Sequence, residues 1–211
     1  MNAVRRAATT LLGAVVVMWA GCRSNRSTAP LPLNDRARVY AAVLQELQHD
    51  SRADWVVVDT LLPAREIDGD IRDKVIAELP ISRREIDAFI DAQRAPADRF
   101  HSVVLPDAHW TTVSMLRLDS LRAAVRADIA SGVTARGVRN DAFWQQWQRL
   151  FPGSAGYVIL SPASITDDGA TAVVHVRLAC GSVCGETELR SLRRGPNGNW
   201  RTTKRLRLSE S

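Results

Sequence analysis

Four strand-like runs crowd into about sixty residues at the C-terminus: Tyr157 to Ser161, Ala170 to Leu178, Glu186 to Leu192 and Trp200 to Leu208. They are joined by Asp167-Asp168-Gly169, the corner Cys180 to Gly185, and Gly195-Pro196-Asn197-Gly198, all built from residues that favour tight turns. Connections this short cannot hold a crossover, so successive strands must run antiparallel. The expectation is a four-stranded antiparallel β-meander. In its last strand Trp200, Thr202, Lys204, Leu206 and Leu208 alternate with Arg201, Thr203, Arg205 and Arg207, which predicts one packed face and one solvated, basic face.

Upstream the apolar period is helical. Val39, Ala42, Val43 and Leu47 recur at spacings of three and four, giving one helix from Asp35 to about His49. Trp55-Val56-Val57-Val58, with Leu61 and Leu62, is a β-branched run that reads as a buried strand. Ile71, Val75, Ile76 and Leu79 share one side of a helix over 70–79, ended by Pro80. Ser82 and Glu85 stand at capping-box spacing ahead of Ile86, Phe89 and Ile90, in a helix that stops before Pro96. Val103 to Leu105 and Val113 to Leu118 read as short strands around Pro106-Asp107, followed by a helix from Asp119 to about Ile129. Beyond Gly132 and Gly137, Asn140 opens an aromatic helix carrying Phe143, Trp144, Trp147, Leu150 and Phe151, closed by Pro152. Helices segregated ahead of strands predict an α+β fold: a mostly helical N-terminal half packed on the C-terminal four-stranded antiparallel meander, covering one of its faces.

The first 21 residues have the organisation of a secretory signal peptide. Arg5 and Arg6 precede the apolar run Leu11 to Ala20, which is too short for a bilayer span and closes on Trp19-Ala20-Gly21-Cys22. A cysteine directly after Ala-Gly resembles the lipobox of bacterial lipoproteins, with Trp19 standing where that pattern carries an aliphatic residue. The resemblance implies cleavage before Cys22 and attachment of a diacylglycerol to its sulfur, with palmitate among the acyl chains of the anchor. The alternative is an ordinary signal peptide cut near Ala20 or Gly21, leaving Cys22 a free thiol. Residues 22 to 34 are polar, hold Pro30 and Pro32 and show no apolar period, so they read as a flexible tether; residues 35 to 211 follow as a single domain.

Removing residues 1 to 21 takes away two arginines and no acid, so the net charge falls from +5 to +3. That is far from the clustered basic footprint of a nucleic-acid binder, and no nucleic-acid partner is expected. With Cys22 acylated, Cys180 and Cys184 remain as an even pair in an oxidising compartment. They flank a hairpin corner where Gly181 and Gly185 suit a tight turn, so the leading reading is a structural disulfide. A redox dithiol and a metal site are the alternatives. Three intervening residues do not match the two of thioredoxin-like motifs, and zinc would need two further ligands, with only His175 near in sequence.

Motifs that carry chemistry are sparse. Asp107, His109 and Ser161 make a triad on paper, but nothing in their spacing requires it. Gly153-Ser154-Ala155-Gly156 sets its serine in the wrong place for a nucleophile elbow. His49, His101 and His175 stand alone. Phe143, Trp144, Trp147 and Phe151 read as core, with a ligand pocket against the sheet as the alternative. No catalytic residue, cofactor or metal ligand is assigned.

The run from Phe143-Trp144 through Phe151-Pro152-Gly153-Ser154-Ala155-Gly156, Leu160-Ser161, Cys180 to Gly185 and Asn199-Trp200 resembles a group of bacterial exported proteins. They share a helix ending in aromatic-Pro-x-Ser-x-Gly, a serine closing the first strand and a final strand introduced by Gly-x-Trp. The Tyr40 helix, the Val-Val-Val-Asp59-Thr60 strand and the Phe89 helix extend the likeness over most of the domain. The group carries no activity, so no site residue follows from it. The resulting expectation is a cell-envelope lipoprotein, exported, facing the periplasm and held to the membrane through Cys22. Arg23 stands where an aspartate would favour inner-membrane retention, which favours the outer membrane. Its function is expected to be non-enzymatic, binding a protein or small ligand through the sheet or the helix–sheet cleft. An envelope hydrolase with a site assembled from residues distant in sequence is the alternative.

Overall fold

The computed structural model describes residues 32–51, 53–64, 67, 69–94, 110–131, 139–181 and 184–210. The expected signal peptide, Cys22, residues 23–31 of the tether, the Val103 to Leu105 strand, His101, Asp107 and His109 lie outside the described residues. In chain order the elements are α1 (Pro32–Ser51), β1 (Asp54–Val58), α2 (Gly69–Glu78), α3 (Arg83–Ala92), β2 (Thr112–Val113), α4 (Met115–Ala130) and α5 (Arg139–Leu150). Strands β3 (Ser154–Leu160), β4 (Ser164–Ile165), β5 (Thr171–Ala179), β6 (Gly185–Arg194) and β7 (Trp200–Glu210) follow. No described helix is long and apolar enough to cross a membrane.

The strands form one seven-stranded mixed sheet of order β2-β1-β3-β5-β6-β7, with β4 paired to β5 outside that path. This overturns the expected four-stranded antiparallel meander. β3, β5, β6 and β7 are antiparallel neighbours, but β1 pairs parallel with β3 on one side and with β2 on the other. Turn chemistry governs only strands that are close in sequence. Between β1 and β3 the described residues include β2 and the helices α2 to α5, a connection long enough for the parallel crossover that a hairpin cannot make. Trp55 to Val58 are all buried, as a strand with both faces covered must be.

Helices cover both faces of the sheet rather than the one expected, so the fold has three layers. On one face α1 sets Val39, Tyr40, Val43 and Leu47 against Val174, Val176, Leu192 and Trp200. The Tyr40 hydroxyl also accepts the Ala163 N–H at 2.9 Å, fixing the helix to the loop after β3. On the other face α2 and α3 bury Val75, Ile86 and Phe89 against Val173, Leu189 and Leu206, while α4 and α5 bury Leu118, Leu121 and Trp147 against Val56, Val58 and Ile159. The Ser82–Glu85 capping box opens α3 as expected, with the Ser82 hydroxyl accepting the Glu85 N–H.

Two local expectations fail for identifiable reasons. Val113 to Leu118 is not a strand: Ser114 ends the two-residue β2, and its hydroxyl accepts the Arg117 N–H at 3.2 Å in the manner of a helix N-cap. Leu118, Leu121 and Val125 then bury one helical face four residues before Asp119 was expected to begin it. In β7 the strict alternation breaks at two bulges, where the pairing shifts between Ser191 and Leu192 and between Thr187 and Glu188. Trp200 and Thr202 face α1, but beyond the first bulge Leu206 faces α2 and Arg205 turns to α1. Arg201, Thr203, Arg205 and Arg207 are all exposed, as expected, but they do not share one face: Arg205 pairs with Glu46 and Asp50 on α1, and Arg207 with Glu186.

Beneath α1 lies the most heavily charged part of the interior. The Arg190 guanidinium is sealed from solvent, donates to Glu188 at 2.6 Å, and reaches Glu46 at 3.2 Å. Burial raises the Glu188 carboxyl above the ordinary carboxylate range, with Arg190 opposing the shift. Asp50 is held below that range by its hydrogen bond from Arg205. These ion pairs, together with the hydrogen bond from Thr202 to Glu46, fix α1 to β6 and β7.

Candidate functional site

The cysteines expected to form a disulfide, Cys180 and Cys184, bring their sulfurs to bonding distance with Cα atoms 5.1 Å apart. The Cys180 N–H donates to the Cys184 carbonyl at 2.9 Å, so a backbone bond and the sulfurs close the same corner. A loop this short gains only about 2 kcal/mol from cross-linking. The corner's main role is geometric: it ends β5 and starts β6 at the rim of a cleft.

Ser161 meets His175 through that residue's backbone, while Asp107 and His109, its partners in the triad on paper, lie outside the described residues. The buried Ser161 hydroxyl accepts the His175 backbone N–H at 3.0 Å and donates to the Pro162 carbonyl at 3.2 Å. The imidazole is only 3% exposed, and burial, with the charge of Arg177 as a lesser cause, pushes its pKa down to about 4. Neutral histidine is thus the form the fold accepts. An unfolded chain binds this proton near pH 6.5, so stability is fully present above that pH and is lost as pH falls towards 4. Urea unfolding at a series of pH values should show a loss of about 3 kcal/mol from this group, which His175→Gln removes. Identical pH profiles for the two proteins would rule this out. His49, on α1, is exposed.

The aromatic residues of α5 divide between core and surface. Trp147 is fully buried and its indole N–H donates to the Ser154 hydroxyl at 2.9 Å; that hydroxyl donates to the Phe151 carbonyl, locking the end of α5 to the start of β3. Phe143 and Trp144 are half-buried. They line a cleft of about 580 Å³ between α4–α5 and the β5–β6 corner. Trp144 stacks on Tyr157 with ring centres 5.9 Å apart and planes 18° from parallel, and Phe143 meets Trp144 edge-on at 5.1 Å.

The rest of the cleft follows from sheet register. Tyr157 pairs with Ala179, and Ala179 with Gly185, so the floor beside the aromatic wall consists of two of the smallest residues. One step along the same face, Arg177 pairs with Thr187 and Thr187 with Ser209, a polar row that lines the same cleft. From α4, Arg122 and Arg126 lie four residues apart on one face and close the opposite side. Arg122 is held in place: its guanidinium donates to the Tyr157 hydroxyl at 2.9 Å and pairs with Asp119 at 3.3 Å. Glu186, at the rim, is paired with Arg207 at 2.6 Å.

Sequence reasoning reached the cysteine corner and raised the aromatic pocket only as an alternative; it missed the arginines. They stand on two elements far apart in sequence, α4 and β5, and the start of α4 reads as a strand. The available signal was Arg122 and Arg126 at helical spacing. Among the described residues no cluster of three or more histidine, cysteine or acidic side chains is placed to hold a metal. No family model, curated protein or solved structure matches the chain.

Proposed function

We propose that this chain is a non-enzymatic binding module of the cell envelope, exported and anchored through an acylated Cys22, that holds a small ligand in the cleft between α4–α5 and the β5–β6 corner. The observation that carries the reading is the cleft itself. Its volume of about 580 Å³ lies within the range of small-molecule sites, and its wall combines two half-buried aromatics with converging polar groups. Ser161, the serine of the triad on paper, is buried away from the cleft with its hydroxyl engaged by the His175 backbone N–H and the Pro162 carbonyl, which supports binding over hydrolysis at that serine. The signal-like N-terminus and the likeness to exported proteins support the location.

The test uses full-length protein extracted from the membrane fraction. Its intact mass should match a chain beginning at Cys22 with added acyl mass; a chain without that mass refutes the anchor. Titration with small nitrophenyl compounds should then give saturable quenching of tryptophan fluorescence. Trp144→Ala should weaken this about tenfold or more, as expected when a stacked aromatic contact is lost. Unsaturable quenching, or a Trp144→Ala protein that binds like the parent, refutes the binding reading.

A further inference from the structure

Resting on that binding reading, we infer that the cleft selects a ring-bearing small molecule with an anionic group, such as an aromatic phosphate or carboxylate. Three arginines, Arg122, Arg126 and Arg177, line one cleft; Arg122 is oriented by Asp119 and the Tyr157 hydroxyl, and the lining carboxylate, Glu186, is bound to Arg207. Beside half-buried aromatic walls, which displace part of the screening water, arginine side chains offer an anion charge-assisted, geometrically specific hydrogen bonds of the kind guanidinium makes best.

The flat part of the ligand is specified by the opposite wall. Trp144 and Tyr157 are stacked and held by α5 and β3, so the surface is rigid before binding and little ordering entropy is lost. The Ala179–Gly185 floor leaves depth for a ring, where larger residues at the same register would fill it. The hydroxyls of Thr187 and Ser209, bonded to each other, add neutral donors and acceptors at the far end. A long polyanion fits less well. Asp119 and Glu186 interrupt any continuous basic track, and the net charge beyond the signal segment is only +3.

Three probes separate the ring from the charge: 4-nitrophenyl phosphate, uncharged 4-nitrophenyl glucoside, and inorganic phosphate. Each is titrated by fluorescence or thermal shift into full-length protein. The phosphate ester should bind at least about tenfold more tightly than either of the others, the worth of one charge-assisted hydrogen bond or one ring contact. Arg126→Gln, on an exposed position of α4, should weaken the ester about tenfold and leave the glucoside unchanged. If the glucoside binds as tightly as the ester, or if neither Arg126→Gln nor Arg177→Gln weakens the ester, the anion inference is overturned while a Trp144-dependent cleft stands. If no probe binds the parent protein at all, the binding reading falls with it.

Discussion

Replacing Arg190 with methionine should cost the fold about 3–5 kcal/mol, because it leaves the Glu188 carboxylate buried without its counter-charge. Glu188 is 3% exposed and Arg190 1%, so neither group can recover its lost hydration by a small movement. Glu46, the second partner, is in a different position: it is partly exposed and keeps Arg205 when Arg190 is removed. The damage should therefore concentrate on Glu188. Its carboxyl is already raised by burial, and without Arg190 it rises further, so the native state of the variant takes up a proton to escape. With a folded pKa above the unfolded one, the stabilising contribution is present below the unfolded value and is lost as pH rises through the folded value. Arg190→Met should thus approach the parent's stability at acid pH and fall away towards neutrality. The double variant Glu188→Leu/Arg190→Met should recover most of the loss, since replacing both members of a buried pair with apolar groups is often neutral. Urea unfolding at several pH values checks all three statements. A single variant less than about 1 kcal/mol below the parent at neutral pH would show that water reaches Glu188 and that the pair is not sealed.

How far this arrangement can be read from the residues depends on the range over which each signal acts. The Ser82–Glu85 box and the turns between the last strands act within a few residues, so α3 and the antiparallel pairing of β3, β5, β6 and β7 follow from them. The parallel insertion of β1 depends on a long crossover that includes α2 to α5 and has no local signature beyond the continuous burial of Trp55 to Val58. Arg190 and Glu188 illustrate the same limit. On β6 they read as polar residues of a strand that ought to point to solvent, and only α1, lying across that face, buries them. The β7 bulges change the face that Arg205 presents without any proline or glycine at the shift to announce it. The cleft repeats the pattern: Cys180 and Cys184 form a local motif and are legible, whereas the arginines and the Trp144–Tyr157 wall meet only when α4, α5 and the sheet are assembled.

Gly156→Ala should be the most damaging single-methyl change near the cleft. The glycine has φ +154°, a backbone conformation that residues with a side chain rarely adopt, and a β-carbon there would lie 1.9 Å from the Ala179 carbonyl oxygen. It would also lie 2.9 Å from the Ala179 carbonyl carbon and from the Cys180 Cα, so every close neighbour is backbone and none can swing aside. Relief requires β3 and β5 to separate at the Tyr157–Ala179 pair, or the glycine to abandon its conformation and its register with Trp55. Strain and overpacking together place the cost at roughly 2–6 kcal/mol. Gly153→Ala supplies the control. That residue also has positive φ, +79°, but no atom lies within 4 Å of the added carbon, so only conformational strain of about 1–2 kcal/mol is expected. The pair separates steric conflict from backbone preference, and equal losses in urea unfolding would refute the close approach. Binding gives an independent readout. Tyr157 and Ala179 are respectively a wall and the floor of the cleft, so Gly156→Ala protein that remains folded should bind 4-nitrophenyl phosphate more weakly than Gly153→Ala protein, because the separation that relieves the clash also displaces the surface on which the ring is held.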